Sequence, residues 1–164
     1  MSRGFVKEDD LEHAGTDLPE RLIGALPNYV TAIGLQQLEQ NANVLSAERL
    51  NLLNQKDDQV AMQKLAVIER DLRYVSARLK TAILSAPPSS HKIVLFGATI
   101  TVEDEAGEPH VFNIVGDDEA DIKLNKVSWG SPIAKALIKQ KVGDTVVWSR
   151  PAGNITLEII KISY

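Results

Sequence analysis

The chain of 164 residues contains no cysteine. That absence excludes disulfides, thiolate zinc sites and cysteine nucleophiles together, and it fits a reducing cytoplasm, which is the expected location. Aromatic residues make up only 5% of the chain, so any core must be largely aliphatic. The three histidines, His13, His91 and His110, lie too far apart for metal-ligand spacing. No apolar run is long enough to span a bilayer. The polar, acidic start from Met1 to Asp10 is unlike a signal peptide. A net charge of −4 argues against a protein that coats nucleic acid by bulk attraction. No glycine-rich phosphate loop, EF-hand pattern or nucleophile motif occurs. Neither a membrane nor a small-molecule substrate is expected as a partner, and no cofactor of its own. What is present is a globular composition, 44% apolar and 24% charged, sized for one ordinary domain or two small ones.

Residues 1–27 carry six acids against three bases, with Gly15, Pro19 and Pro27, and no helical or strand period. They read as a flexible acidic arm. Residues 28–86 carry two apolar seams. Leu35, Leu38, Ala42, Leu45, Arg49 and Leu52 follow steps of three and four after Thr31, a residue suited to cap a helix, and only Arg49 breaks the seam. Ala61, Leu65, Ile68, Leu72, Val75, Leu79 and Ala82 repeat the spacing. The polar stretch Asn54-Gln55-Lys56-Asp57-Asp58 between them predicts an antiparallel coiled-coil hairpin, with Asp57 or Asp58 able to cap the second helix. Pro87-Pro88-Ser89-Ser90 stops that helix, and residues 87–91 form a stiff linker. Lys56, Lys64, Arg70, Arg73, Arg78 and Lys80 are spread around the second helix and read as a solvated face.

Residues 92–164 read as strands with one short helix. Ile93–Phe96 and Ala98–Glu103 look extended, the turn Glu105-Ala106-Gly107-Glu108 returns Val111–Val115, and Thr145–Ser149 pairs with Ile155–Ile162 around Pro151–Asn154. Gly116–Lys126, with Asp117, Asp118, Glu119 and Asp121, reads as a solvated acidic loop. Between them runs Val127-Ser128-Trp129-Gly130-Ser131-Pro132-Ile133-Ala134, closed by Val142-Gly143-Asp144. Ser131 is a good N-cap and Pro132 suits the first helical position. The fold class is α+β: a helical hairpin followed by an antiparallel sheet domain carrying one short helix.

This order of parts resembles the bacterial Gre transcription elongation factors. Phe96-Gly97-Ala98-Thr99, Ile114–Asp121, Ser131–Asp144, Ile68–Val75 and Tyr29-Val30-Thr31 with Gly34 and Leu38 carry the resemblance, which leaves residues 1–27 uncovered. It implies an FKBP-like C-terminal domain that docks on the β′ subunit of RNA polymerase, here through Trp129, Gly130, Ser131 and Pro132. It implies a coiled coil that enters the secondary channel and regulates elongation, with DNA binding among the family's functions. It also implies tip carboxylates that help hold a Mg²⁺ shared with the polymerase, which then hydrolyses the RNA 3′ end. The factor itself is not an enzyme.

The resemblance has gaps. The family's tip motif, Gly-Asp-x-Ser-Glu-Asn-Ala, is absent, and a gapless extension puts Asn51 and Asn54 where its two acids stand. The arms are about two turns shorter, roughly 10 Å. Asp57 and Asp58 are then the adjacent acids nearest the turn, and two roles fit them: carboxylates offered to the polymerase metal, or a helix cap facing water. The shortened hairpin is similar to that of Rnk, a Gre-related polymerase binder without a cleavage role. Gly130 replaces the Asp or Asn common before the Ser-Pro pair. Trp129 suits either an interface anchor or the core, while Trp148, in an alternating strand, suits the core. Two other classes compete: a prolyl isomerase, for which the aromatics are too few to build an apolar proline pocket, and a coiled-coil adaptor.

Overall fold

The structure is a computed structural model that describes residues 18–164. The described residues divide into two compact units, one built on Leu35–Ala82 with Leu18–Pro27, the other on Asn28–Gly34 and Ile83–Tyr164.

The first unit is a helical hairpin. Helix α1 spans Ala32–Leu53 and α2 spans Gln59–Thr81. Backbone bonds from Asn54 to Asn51 and from Gln55 to Leu52 tighten the end of α1, and Asp58 caps α2. Leu38 and Leu45 on α1 and Ala61, Ile68 and Val75 on α2 are buried at intervals of seven, as the seams require. Each such Leu or Ile contributes about 1.5–3 kcal/mol by leaving water. Arg49, the break in the first seam, meets Glu69 across the hairpin at 3.1 Å.

Helix α2 also buries a second stripe, Val67, Arg70, Asp71 and Arg78. Arg70 donates to Asp71 at 2.9 and 3.1 Å. The reading of a solvated basic face therefore fails for Arg70 and Arg78, which are 6% and 4% exposed. Part of the stripe's cover comes from the segment expected to be a flexible arm. Residues 1–17 of that arm lie outside the described residues, but Leu18–Pro27 is tied to α2. Arg21 stacks on the Tyr74 ring at 3.8 Å and lies 3.5 Å from Asp71, and Glu20 accepts from both Nε and Nη2 of Arg73. A buried carboxylate and an aromatic face give the arm a binding site that its own sequence does not reveal.

The second unit begins with a parallel pair, β1 (Tyr29–Val30) and β2 (Ile83–Leu84). Helix α2 therefore ends at Thr81 instead of running to the prolines. Ile83 and Ser85 donate to Asn28 and Val30 at 2.8 and 3.0 Å, and this pairing pulls the chain out of the helix. The two ends of the expected 28–86 hairpin stretch, Asn28–Gly34 and the residues from Ile83 on, belong to the second unit.

Five further strands follow: β3 (Thr99–Asp104), β4 (Pro109–Val115), β5 (Lys126–Ser128), β6 (Thr145–Trp148) and β7 (Ile155–Ser163). They form one sheet in the order β5-β4-β3-β7-β6, antiparallel except for the parallel edge pair β4–β5. Ile93–Phe96, expected as strand, contributes only a single bridge from Ile93 to Lys141. Helix α3 (Pro132–Leu137) packs Ile133, Ala134 and Leu137 onto a sheet face made by Ile100, Val102, Phe112, Ile114, Leu157 and Ile159. Alternation along β7 skips a residue, because the register with β3 shifts between Thr101 and Val102. Ile160 is left over, and Ile162 returns to the core. Tyr164 fastens the chain end, its hydroxyl donating to Ile93 and accepting from Leu95, each at 2.8 Å.

Candidate functional site

The segment singled out by sequence, Trp129–Pro132, links β5 to α3. Ser131 Oγ accepts from the Ala134 amide at 3.3 Å, and Pro132 opens the helix as expected. Ahead of them, Ser128 Oγ donates to the Asp117 carboxylate and accepts from the Gly130 amide at 3.2 Å, shaping the turn at Gly130. Trp129 is half-buried against the core, and the Tyr29 ring meets it edge-on with centroids 5.2 Å apart. Tyr29 also lies 5.9 Å from Phe96. The backbone carries β1 so close to Gly116 that a β-carbon there would sit 2.3 Å from the Tyr29 carbonyl oxygen. Only glycine fits that approach.

Beside this segment lies a groove of about 810 Å³. Pro109–Phe112 of β4 form one wall, Ala120–Ile122 and Asn125–Ser128 the other, and Ser131, Ile133 and Trp148 complete it. Trp148 meets Phe112 edge-on at 5.2 Å. His110, on the rim, is 3.0 Å from Asp104. Sequence reasoning missed this groove: scarce aromatics argued against an apolar pocket, yet two that converge beside aliphatic neighbours build one. The exposed Ile122, at 87%, stands on the outer wall.

That outer wall follows a second unexpected feature. Glu119, read as part of a solvated acidic loop, is buried, its side chain 3% exposed. It accepts from Thr31 Oγ1 and from Lys126 Nζ, the latter at 3.2 Å. Thr31 Oγ1 in turn accepts from the Gly34 amide at 3.0 Å and so caps α1. A buried carboxylate needs such partners, and its burial corrects the loop reading for this residue.

At the hairpin turn Asp58 Oδ1 accepts from the amides of Val60 and Ala61 at 2.9 and 3.3 Å. Asp57 is exposed, as are Asn51 and Asn54. Among the described residues no group of three or more His, Cys, Asp or Glu side chains is placed to hold a metal ion. The donor set at the turn, one free carboxylate and neutral amides, does not suit a resident Mg²⁺. Among the described residues no helix is long and apolar enough to cross a membrane.

Comparison with known proteins places these features. A family model described as "Transcription elongation factor, GreA/GreB, C-term" matches residues 89–164. Transcription elongation factor GreB of Neisseria meningitidis serogroup B is 32% identical over 153 residues, covering 84% of this chain and 94% of that protein. Transcription elongation factor GreA of Pseudomonas syringae pv. tomato is 39% identical over 107 residues, covering 63% and 68%. Among solved structures, the GreA factor homolog Gfh1 of Thermus thermophilus superposes with a TM-score of 0.42 at 23% identity, over 85% of this chain and 100% of that one. The match to the Neisseria protein spans hairpin and sheet unit together, and the chain belongs to the GreA/GreB family of transcription elongation factors.

Proposed function

We propose that this factor binds RNA polymerase at the secondary channel, through its sheet unit, and regulates elongation without supplying a metal site for transcript cleavage. Family membership supports the polymerase as partner. The observation that carries the second half is the turn chemistry. Asp58 is engaged by two amides of its own helix, which leaves Asp57 as the single free acid between Asn51 and Gln59. One exposed carboxylate is a weak ligand for a divalent ion whose other ligands it does not provide. The docking surface is the rim Trp129–Pro132 with the adjoining groove, whose apolar floor of Phe112, Ile133 and Trp148 suits an apolar projection from the β′ subunit. In this reading the protein is an auxiliary factor and not a catalyst, and it takes no cofactor of its own.

The test is retention on immobilised core polymerase at low salt, followed by RNA shortening in stalled, backtracked complexes. The expected result is retention with shortening no faster than the polymerase alone. Loss of retention overturns the docking. Accelerated shortening that Asp57→Asn abolishes overturns the non-cleaving assignment. The groove also supplies the prolyl-isomerase reading with a pocket, and a peptide isomerisation assay at background rate is the expected outcome.

A further inference from the structure

We propose that Thr31, Glu119 and Lys126 form a latch that couples occupancy of the groove to the first turn of α1. The occupant rests on the reading above; the latch rests on geometry within the sheet unit. Lys126 belongs to both systems, lining the groove and placing Nζ 3.2 Å from Glu119. Glu119 passes the connection to Thr31, whose hydroxyl is the acceptor for the Gly34 amide. There is no slack between the parts. A β-carbon at position 34 would lie 2.6 Å from Glu119 Oε1, and one at position 116 would lie 2.3 Å from the Tyr29 carbonyl. Glu119 and Ala120 both hang from the Gly116 carbonyl at 3.2 Å, so the groove's outer wall starts from the point where β1 presses on the loop.

The carboxylate makes the arrangement two-state. With its side chain 3% exposed, Glu119 is stable only while both donors are in place. Loss of either leaves a buried charge short of a partner, which favours release of the loop toward water. Lys126 is still 20% exposed with the groove open. An apolar occupant removes that water and strengthens the Lys126–Glu119 attraction. Filling the groove therefore favours the latched state, and by reciprocity the latched state favours filling. Thr31, which does not line the groove, becomes a determinant of binding there.

Amide hydrogen exchange on the full chain tests the latch without a partner. Thr31→Val is expected to raise exchange at Lys126 and Asn113, whose amides bond to Asp121 and Asn125 at 3.0 and 2.8 Å. The expected rise is about fivefold or more. Thr31→Ser should restore wild-type rates. Lys126→Met should raise exchange at Gly34. Glu119→Gln, which keeps the volume, serves if Thr31→Val does not fold. Wild-type exchange at Lys126 in a folded Thr31→Val or Glu119→Gln protein overturns the latch. On core polymerase, Thr31→Val should weaken binding by about fivefold or more, with rescue by Thr31→Ser. If the wild type does not bind polymerase, the docking reading falls and the exchange data alone decide the latch. If it binds and Thr31→Val binds equally well, the latch falls.

Discussion

The Oδ1 atom of Asp58 lies 2.9 Å from the amide nitrogen of Val60, so the acid nearest the turn is part of its own helix. Substitution by alanine leaves two amides of the first turn without a side-chain acceptor. Asp58→Ala should cost about 1 kcal/mol, Asp58→Asn much less, because asparagine caps as well. Asp57→Ala, at an exposed position with no such role, should stay within about 0.5 kcal/mol. Urea unfolding followed by circular dichroism measures all three. Equal losses at both positions would remove the distinction on which the non-cleaving assignment depends.

Gly116 and Tyr29 make the second prediction. A methyl at position 116 meets the Tyr29 carbonyl at 2.3 Å, so either β1 or the loop must move. Gly116→Ala should destabilise the sheet unit by about 1–3 kcal/mol, the range for forced overpacking. Tyr29→Ala removes the ring contacts to Trp129 and Phe96, and aromatic pairs contribute about 0.5–1.5 kcal/mol each beyond their area. Tyr29→Phe keeps the rings and should be nearly neutral. Guanidinium unfolding read by tryptophan fluorescence follows the loss, since Trp129 is one of the two tryptophans.

Features encoded within a few residues were legible in the sequence. Thr31, the pair Asp57-Asp58 and Ser131 mark helix starts because a cap needs only its own helix; Thr31, Asp58 and Ser131 act as the caps. The heptads of Leu38 and Leu45 and of Ala61, Ile68 and Val75 stated which face is buried. What escaped depends on distant partners. β1, β2 and β5 are two or three residues long, too short for a period, and all pair in parallel, an arrangement no hairpin turn announces. Glu119 sits in a run of acids beside Asp117 and Asp118, and its burial comes from Thr31 and Lys126, which meet it only once the fold has formed. Arg21 has no signal in its own segment, because its site is built by Asp71 and Tyr74. The groove was illegible because Phe112 and Trp148 converge only once the sheet has formed.

Acid should loosen the turn between β3 and β4. The hydrogen bond from His110, then those from the amides of Glu108 and Ala106, hold the Asp104 carboxyl below its ordinary 3.8. A depressed carboxylate stabilises the fold above its unfolded value, and that contribution is lost as pH falls through the lower, folded value. Stability measured from pH 3.8 downward should therefore fall more steeply in the wild type than in Asp104→Asn. Parallel curves for the two proteins would show that the His110 contact does not persist in solution.

The attachment of Leu18–Pro27 to α2 divides into a strong and a weak contact, and salt should separate them. Glu20 and Arg73 are 62% and 57% exposed, so their pair is screened by ions. Arg21 instead stacks on Tyr74 and faces Asp71, whose side chain is 5% exposed, where screening reaches poorly. The segment presents Leu22 outward at 94% exposure, with Ile23 and Leu26 each at 49%, and thermolysin cleaves beside such residues once the backbone lifts. Raising salt to about 1 M, where the Debye length falls to about 3 Å, should accelerate cleavage between Leu22 and Leu26 in the wild type. Glu20→Gln should already be cut at the faster rate and respond little to salt. Arg21→Ala should be cut fastest at every salt concentration, because it removes both the stack on Tyr74 and the contact with the buried Asp71. If Glu20→Gln and Arg21→Ala are cut alike, the Tyr74 stack holds the segment no more firmly than the Arg73 fork does, and the division into strong and weak contacts falls.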